Sequence, residues 1–558
     1  MTKIIYNGRI CLGKENFCEA LIIENGRILK TGSNNDLLNE IPLRTEKIDA
    51  CGAAVLPAFN DSHLHLMWVG RRTISIVCTN AASIDEVIKI GREHIKKFNL
   101  PAETYIDGAG VNPDLFKNGE KRDLLREDMD KISLEHPIII SRHCGHTVYC
   151  NSLALRLAGI SEAAPDIEGG TIEKDSSGRP TGVIRENANE LVYKIAPAPS
   201  REDMKKFIRL GMKEAHSFGI TSCGSHDIDG PDFDNVIEAY KDVYDEYKRN
   251  NKPGLRVSLQ CGISLKENIL DDYIKRDINL VPLWEDPNWG IFLKMGSLKL
   301  FADGTLGGRT AWMRHPYNDK PETRGFPVLD QERLDRIVKK ASGGNIQVLV
   351  HAIGDAGIDA VIQSYEKVTE KGNPLRHGII HCQITSADLL ERMADRKILA
   401  LVQPVFLSDD MHILERRVGQ NLASTSYAWN TMQKLGIPVS YSTDAPVSGI
   451  DPLKNIEWAV LRGEQLRTQR RASRENCEDT HPKGFFPDEK VDVYSAFNAY
   501  TASSAFSNHS ENYLGCIAAG FLADLVFLDR DIFAVSPNEI HKTRVLRTMC
   551  AGETIYEI

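Results

Sequence analysis

The sequence lacks several features that would assign a protein to a class directly. Its 12 cysteines include no CxxC pair, which argues against a structural zinc module, and their scattered spacing suggests no dense disulfide framework. The most apolar late stretch, 513–528, is broken by two glycines and Asp524. It is therefore too short for a membrane span, which needs roughly 18 apolar residues. No internal repeat or low-complexity tract is found.

An excess of basic residues is also missing. The 68 Lys and Arg are outnumbered by 77 Asp and Glu, which gives a formal net charge of -9 and argues against nucleic acid or an anionic membrane as the partner. The opening segment MTKIIYNGRICLGKE has no continuous apolar run and no small-residue cleavage site, so we predict no secretory signal and a cytoplasmic location. We expect a small-molecule substrate and a homodimer.

The composition is that of a globular α/β protein. Of 558 residues, 42% are hydrophobic and 26% charged, enough apolar surface for large cores. Eight short apolar runs end in polar or glycine residues, and most precede a stretch of helical period. Eight strands with intervening helices predict a (β/α)8 TIM barrel. The runs are 55–65, 219–227, 255–263, 297–304, 347–355, 378–384, 399–404 and 439–446.

The two ends of the chain and the segment between the first and second predicted barrel strands depart from this pattern. The first fifty residues contain short strands, with Asn25-Gly26 as a hairpin signal, and the last forty repeat a strand, glycine turn, strand pattern. Between the first and second barrel strands, roughly 150 residues exceed the usual spacing. We therefore predict an inserted α/β subdomain at about 73–215, with a helix at 80–100 and a strand at 137–145.

Polar side chains recur where the predicted barrel strands end, which is where such barrels place their chemistry. His63 and His65 alternate on a strand and can bind one ion. His351 and His381 also fit buried core histidines. Lys299 could pair with Asp303, and Asp444 could cap the next helix or bind a cation. Lys294 precedes Gly296 and lies outside the alternation that leads to Asp303.

These residues belong to a set of segments through which the chain resembles the amidohydrolase superfamily, specifically its amidohydrolase-3 or YtcJ-like branch of metal-dependent hydrolases. The segments run in order over nearly the whole chain. They are Pro57-Ala58-Phe59-Asn60-Asp61-Ser62-His63-Leu64-His65, Arg142-His143-Cys144-Gly145-His146, Asn151-Ser152-Leu153-Ala154-Leu155, Gly182-Val183-Ile184-Arg185-Glu186, Asp303-Gly304-Thr305-Leu306-Gly307, His351-Ala352-Ile353-Gly354-Asp355, His381 and Ser442-Thr443-Asp444-Ala445-Pro446.

The resemblance implies a composite β-sandwich from both termini, 1–56 and 505–558, around a barrel at 57–504. It also implies two divalent metal ions, usually zinc. His63, His65 and Asp444 would hold the buried ion, His351 and His381 the exposed one, and a carboxylated Lys299 would bridge both. A metal-bridged hydroxide would then attack a C–N bond, with Asp444 as the catalytic proton shuttle to the leaving amine.

The expected substrate is an N-acyl, N-formyl or other N-substituted amide. Substrate-binding candidates in the insert are Arg142, His143 and His146, although a solvated cluster fits them equally, and Arg309 and Trp312 follow barrel strand four. Two alternatives stay open. One is a mononuclear aminohydrolase that deaminates a heterocycle and keeps an ordinary lysine at 299. The other is a non-catalytic regulator that retains the fold.

Overall fold

The computed structural model describes residues 2–117, 121–142, 147–164, 170–186, 188–230, 232–263, 267–275, 281–369, 372–464, 481 and 483–558. The chain forms two compact units, Met1–Val69 with Lys205–Ile558, and Gly70–Met204. Across the described ranges, the cysteines are free thiols, and none of the helices combines the length and apolar character that a membrane crossing requires.

The strands, in chain order, are β1 (Thr2–Tyr6), β2 (Arg9–Gly13), β3 (Asn16–Cys18), β4 (Ala20–Glu24), β5 (Arg27–Gly32), β6 (Glu46–Asp49), β7 (Ala54–Pro57), β8 (Phe59–Leu64), β9 (Ile76–Val77), β10 (Ile106–Val111), β11 (Ile138–Arg142), β12 (Thr147–Cys150), β13 (Gly170–Lys174), β14 (Pro180–Glu186), β15 (Ile220–Asp229), β16 (Arg256–Gly262), β17 (Pro282–Asp286), β18 (Gly290–Phe301), β19 (Val348–Ala352), β20 (Gly378–His381), β21 (Leu399–Val402), β22 (Val439–Tyr441), β23 (Leu525–Leu528), β24 (Val545–Cys550) and β25 (Glu553–Glu557).

The α-helices are α1 (Asn34–Glu40), α2 (Leu66–Thr73), α3 (Ile84–Phe98), α4 (Arg126–Asp130), α5 (Ser152–Leu157), α6 (Asn189–Tyr193), α7 (Arg201–Ser217), α8 (Phe233–Arg249), α9 (Glu267–Lys275), α10 (Gln331–Gly343), α11 (Asp355–Glu366), α12 (Ala387–Arg396), α13 (Leu407–Asp410), α14 (Leu414–Val418), α15 (Gln420–Ser424), α16 (Trp429–Lys434), α17 (Pro452–Leu461), α18 (Val493–Ala499) and α19 (Ala502–Ser507). Short 3-10 helices span Pro113–Leu115, Pro404–Phe406, Pro487–Glu489 and Pro537–Lys542.

Eight of these strands form a parallel, nearly closed barrel sheet in the order β22-β21-β20-β19-β18-β16-β15-β8. In register, Phe301 lies opposite His351, and Ala352 opposite His381, so neighbouring strands end at one level. The first and last barrel strands are connected by individual hydrogen bonds. The Asp444 amide donates to the His63 carbonyl at 2.9 Å, and the Ser62 hydroxyl donates to the Tyr441 carbonyl at 2.9 Å.

The predicted barrel strands are confirmed with two differences. The first predicted run splits into β7 and β8, because β7 pairs with β23 and β2 whereas β8 pairs with β15. The break falls at Ala58, whose amide bonds to the Asp524 carbonyl at 3.0 Å. The fourth barrel strand, β18, begins earlier than predicted because β17 pairs antiparallel with its first half.

Helix α10, which lies between barrel strands β18 and β19, buries one apolar stripe. In α10 the buried residues are Leu334, Ile337, Val338 and Ala341, which is the spacing of a single helix face. Asp330 caps this helix by accepting a hydrogen bond from the Arg333 amide at 2.8 Å. The alternation of such helices with buried strands places the polar residues that follow each strand at one end of the sheet.

Strands from both chain termini share one sheet, in the order β25-β24-β23-β7-β2-β3, and a second sheet has the order β5-β4-β1-β6. The predicted Asn25-Gly26 hairpin is confirmed. It joins β4 to β5, and both turn residues have positive φ, 50° and 77°, as a type I′ turn requires. Ile5 and Leu21 of one sheet share a buried cluster with Leu525 and Met549 of the other.

The unit Gly70–Met204 contains a sheet of order β13-β14-β12-β11-β10-β9. The predicted helix at 80–100 is confirmed as α3, which begins after Ser83, whose hydroxyl accepts a bond from the Glu86 amide at 3.1 Å. The predicted strand at 137–145 corresponds to β11, and its last residues lie outside the described ranges. Buried clusters around Ile88 and Ala154 cover this sheet.

Candidate metal centre

Three of the predicted ligands meet at the carboxyl end of the barrel. The Asp444 Oδ1 atom lies 3.3 Å from His63 Nε2 and 3.3 Å from His65 Nε2, and donor atoms of the three residues lie within 4.8 Å of one another. Ligands about 2.0–2.1 Å from a tetrahedral ion are separated by about 3.3 Å. The two measured separations therefore suit a small divalent cation.

Hydrogen bonds fix the tautomers of these two histidines. The Gln260 amide nitrogen donates to the Ser62 carbonyl at 2.9 Å, so its oxygen faces His63 Nδ1, 2.5 Å away. His65 Nδ1 lies 2.9 Å from the His226 carbonyl. Both Nδ1 atoms must therefore carry the proton, and both Nε2 atoms are left as lone pairs directed toward Asp444.

Hydrogen bonds also fix the tautomers of the other two predicted histidine ligands, His351 and His381. Gln403 donates to the Leu401 carbonyl at 3.1 Å, and its oxygen accepts from His381 Nδ1 at 2.7 Å. His351 Nε2 donates to the Gly304 carbonyl at 3.0 Å. The free lone pairs are therefore His381 Nε2 and His351 Nδ1. The two rings lie 4.5 Å apart by centroid, and the His381 ring is 6.2 Å from the His63 ring.

The atoms of this arrangement fit a bound cation. Asp444 Oδ1 is buried and has no hydrogen bond within the described chain, yet two imidazole lone pairs face it. Such an oxygen and two unprotonated nitrogens repel one another unless a cation or proton lies between them. Burial favours the neutral form of three of the predicted histidine ligands, because it lowers the pKa of His63 and His351 and that of His381 to about 3.

Lys299 lies among these groups and is only 2% exposed. Burial lowers its pKa to about 7. Its Nζ is 3.7 Å from the centroid of the Phe301 ring, and no described residue hydrogen-bonds to it. Lys294 differs, because its ammonium donates to the Asn508 carbonyl at 2.5 Å and to the Ser510 hydroxyl at 2.9 Å. Lys294 is therefore held by the chain, and Lys299 is the lysine near the histidines.

The alternative pairing of Lys299 with Asp303 is not found among the described residues. Asp303 instead accepts bonds from the amides of Ile353, Gly354 and Trp312 at 3.0, 2.8 and 2.9 Å. Burial raises the pKa of this carboxyl to about 7. Asp303 thus links its own loop to the segment that follows His351. The Nε2 atom of His351 lies 3.6 Å from the Oδ1 atom of Asp303.

Two of the predicted ligands adopt a backbone conformation that side chains disfavour. His381 has a φ of 74°, the following Cys382 has 48°, and Asp444 has 53°. Left-handed geometry at non-glycine residues costs of the order of 1–3 kcal/mol each and persists where surrounding contacts enforce it. Asp444 is held by Asp61, which accepts bonds from the Thr443 amide at 3.1 Å and the Thr443 hydroxyl at 2.6 Å.

Sequence reasoning missed the residues that orient the ligands, whereas Trp68 was considered either as a pocket-lining residue or as an aromatic at a domain contact. Gln260 and Gln403 each fix one imidazole, and His226 ends the second predicted strand in the same way as the ligands end theirs, which is a signal that could have found it. Aromatic rings flank the histidines. Trp68 stacks on His65 at 5.0 Å, and Phe406 stacks on His381 at 5.8 Å between centroids.

The substrate-binding residues stay predictions. Arg309 forms a two-point pair with Asp319, at 3.1 and 2.8 Å. The Trp312 backbone is bound to Asp303, as described above. In the other unit, Arg142 bonds to Asp114 at 3.0 Å, and its buried Nε has no partner among the described residues. His143 and His146 lie outside the described ranges.

A parallel barrel with histidines, an aspartate and a lysine gathered at the carboxyl ends of its strands defines a class of barrel enzymes that use metal ions. The family model described as the Amidohydrolase family matches residues 46–556, and the chain belongs to this family. The predicted family is therefore confirmed. The chain is a metal-dependent hydrolase that acts on carbon–nitrogen bonds.

Individual relatives extend over nearly the whole chain. YtcJ of Bacillus subtilis (strain 168) is 32% identical over 97% of this chain and 96% of its own. The N-substituted formamide deformylase of Arthrobacter pascens is 25% identical over 99% of this chain and 97% of its own. A metal-dependent hydrolase of Pyrococcus furiosus has a crystal structure with a TM-score of 0.74 and 26% identity, covering 96% of this chain and 100% of that one.

Proposed function

We propose that this hydrolase cleaves the C–N bond of an N-acyl, N-formyl or other N-substituted amide with two divalent metal ions, preferably zinc. The observation that carries the proposal is the convergence of imidazole lone pairs on a buried carboxylate oxygen that has no hydrogen bond. The relative that acts on N-substituted formamides supports the substrate class.

One ion would be held by His63, His65 and Asp444, and a second by His351 and His381. When bound, such ions lower the pKa of a water molecule and polarise a carbonyl group. The neutral amides of Gln260 and Gln403 hold His63 and His381 in the tautomer that presents Nε2. The His226 carbonyl does the same for His65, whereas the Gly304 carbonyl accepts from His351 Nε2 and leaves His351 Nδ1 as the free lone pair.

Lys299 would join the two sites as a carbamate. An ammonium group has no lone pair, so it cannot bind a cation, whereas a carbamate offers two oxygens. Burial favours the neutral amine of Lys299. Its nitrogen can then add to CO2, forming an N–C bond and releasing one proton. Because no described residue hydrogen-bonds to Nζ, no such bond has to break for this group to form.

Asp444 would move the proton. A bound cation would keep the Asp444 carboxyl ionised, because a nearby positive charge stabilises the carboxylate. In that state Asp444 can accept a proton from the attacking water and return it to the leaving nitrogen. An amine leaves poorly as an anion, so this transfer is needed more for amides than for esters.

The domain organisation belongs to the same proposal. We assign 1–56 and 505–558 to a composite β-sandwich, 57–504 to the barrel, and about 73–215 to an inserted subdomain. The shared sheet of β23–β25 with β7 and β2, and the compact unit Gly70–Met204, support these boundaries. Cytoplasmic location and a homodimer remain predictions from the sequence.

The test is a titration of metal-stripped protein with zinc, followed on one preparation by metal analysis and by hydrolysis of a panel of N-formyl and N-acyl amines. We expect turnover to rise up to two ions per chain. A plateau at one ion, with release of ammonia from a heterocycle, would instead indicate the mononuclear deaminase. His65→Asn should abolish the first equivalent, whereas His541→Asn, which removes an ion pair with Glu457 outside the site, should not.

A further inference from the structure

His226 is a buried histidine at the mouth of the barrel that the metal-binding arrangement does not use. It lies near the end of β15, and its ring centroid is 5.3 Å from that of His65 and 6.0 Å from that of Phe301. It does not belong to the group of His63, His65 and Asp444, whose donor atoms lie within 4.8 Å of one another. Its ring therefore lies beside the first ion site without completing it.

Both ring nitrogens of His226 are without a hydrogen-bond partner among the described residues, although the residue is only 9% exposed. The other site histidines contrast with it, since each of them uses one nitrogen to bind a protein oxygen. A buried imidazole normally satisfies at least one of its nitrogens. The His226 ring is thus the group whose partner must come from outside the described protein.

The backbone that carries this ring is fixed on both sides. The Ser225 hydroxyl accepts a bond from the Leu66 amide at 2.8 Å and donates to Asp227 at 2.6 Å. Asp227 also accepts from the Met67 amide at 3.0 Å. The His226 carbonyl itself accepts from His65. These bonds fix the backbone position from which the His226 ring projects.

The neighbouring strand leaves room for the ring. A Cβ atom on Gly262, the last residue of β16, would lie 3.0 Å from His226 Nε2 and 2.6 Å from Asp229 Oδ1. Gly262 is not among the positive-φ glycines, so its backbone conformation does not require glycine. The small residue therefore serves the side chains that face it, one of which is His226.

We propose that His226 binds the substrate by a hydrogen bond from its imidazole N–H to a polar atom of the amide undergoing hydrolysis. This assignment rests on the proposed function. It makes His226 a substrate-binding residue, distinct from the ion ligands, and it gives Gly262 the role of a positioning residue that keeps the ring in place.

The test compares His226→Phe, which keeps a flat ring against His65 and Phe301, with His226→Gln, which restores a donor and an acceptor. We expect His226→Phe to retain the metal content of the wild type and to lose about 10- to 100-fold in kcat/KM on the best amide of the panel. His226→Gln should recover most of that loss. A purely structural role would not favour glutamine over phenylalanine.

Gly262→Ala provides a second variant, and Gly343→Ala, whose added Cβ meets nothing within 4 Å, is its control. We expect the first to lower kcat/KM with metal retained and the second to have no effect. Equal activity of His226→Phe and wild type, or loss of an ion in His226→Phe, would overturn the assignment alone. A metal-loaded wild type that cleaves no member of the panel would overturn the proposed function and the assignment with it.

Discussion

Asp444→Asn isolates the contribution of one negative charge at the point where the imidazole lone pairs meet. The two side chains have nearly the same shape, but asparagine offers no anionic oxygen to an ion and can turn its NH2 group toward His63 and His65. Replacing a group that merely orients a ligand weakens metal binding about 10–100-fold. Loss of a charged ligand should therefore weaken zinc binding at least about 100-fold, or about 2.7 kcal/mol.

The weaker zinc binding should be measurable as a smaller zinc-dependent gain in the free energy of unfolding. With free zinc at about 100 times the dissociation constant, wild-type protein gains about 2.7 kcal/mol on binding, and a variant that binds 100-fold more weakly gains about 0.4 kcal/mol. Denaturant unfolding with and without zinc measures the difference. We also expect hydrolysis to fall by at least about 100-fold, because the proton shuttle is lost.

The control is Asp451→Asn, which makes the same change seven residues later. Asp451 accepts a bond from the Leu453 amide at 2.9 Å at the start of α17, and asparagine caps helices about as well as aspartate. It should leave the zinc-dependent stabilisation unchanged. If Asp444→Asn were stabilised by zinc as strongly as wild type, the assignment of Asp444 as a ligand would be wrong.

Three further outcomes follow from groups outside the ion ligands. Gln403→Leu removes the oxygen that fixes His381 and should weaken zinc binding about 10–100-fold, as measured by competition with a chelator. Asp524→Ala leaves the buried Arg256 guanidinium, now paired at 2.9 Å, without its partner and should lower the free energy of unfolding by about 3–5 kcal/mol. Burial lowers the pKa of His377 to about 4. The unfolded chain therefore binds more protons between about pH 6.5 and 4, and stability falls as pH drops through that range. His377→Asn should reduce the slope of stability against pH by the contribution of one histidine.

Each of these variants has a matched control on the surface. Gln363→Leu removes an exposed bond to Asp359 and should not change zinc affinity. Glu40→Ala breaks a half-exposed pair with Lys30 and should cost less than about 1 kcal/mol. His315→Asn makes the same change as His377→Asn, but at an exposed histidine. If a control variant changed the measured property as much as its test variant did, the named contact would not be the cause of that change.

The barrel and its polar strand ends could be predicted because both depend on local patterns. Buried parallel strands give continuous apolar runs, and the residue after each run occupies the functional end of the sheet. His351 and His381 follow this rule without any knowledge of their neighbours. The Asn25-Gly26 hairpin was equally accessible, because positive φ at two successive turn residues leaves few other sequences.

Long-range pairings could not be predicted in the same way. The run 55–65 is uniformly apolar up to Phe59, and nothing within it shows that Val55 pairs with β23, more than 460 residues later, while Asn60 belongs to the barrel. The partners of the ligands are equally remote. Gln260 reaches His63 from a strand 197 positions away in sequence, and a buried glutamine has no pattern that distinguishes it from other core polar residues.

The choice of those partners has a consequence for the chemistry. Gln260 and Gln403 are neutral, and the other two imidazoles bond to backbone carbonyls. The four partners therefore fix the rings without adding negative charge. Asp61 and Asp303 are two of the buried carboxyls near the ligands, and burial raises the pKa of each to about 7, which disfavours their ionised forms. Among the groups that would touch the ions, Asp444 and a carbamate on Lys299 would carry the negative charge. A site that offsets little of the charge of its cations favours ionisation of water more strongly than one surrounded by carboxylates.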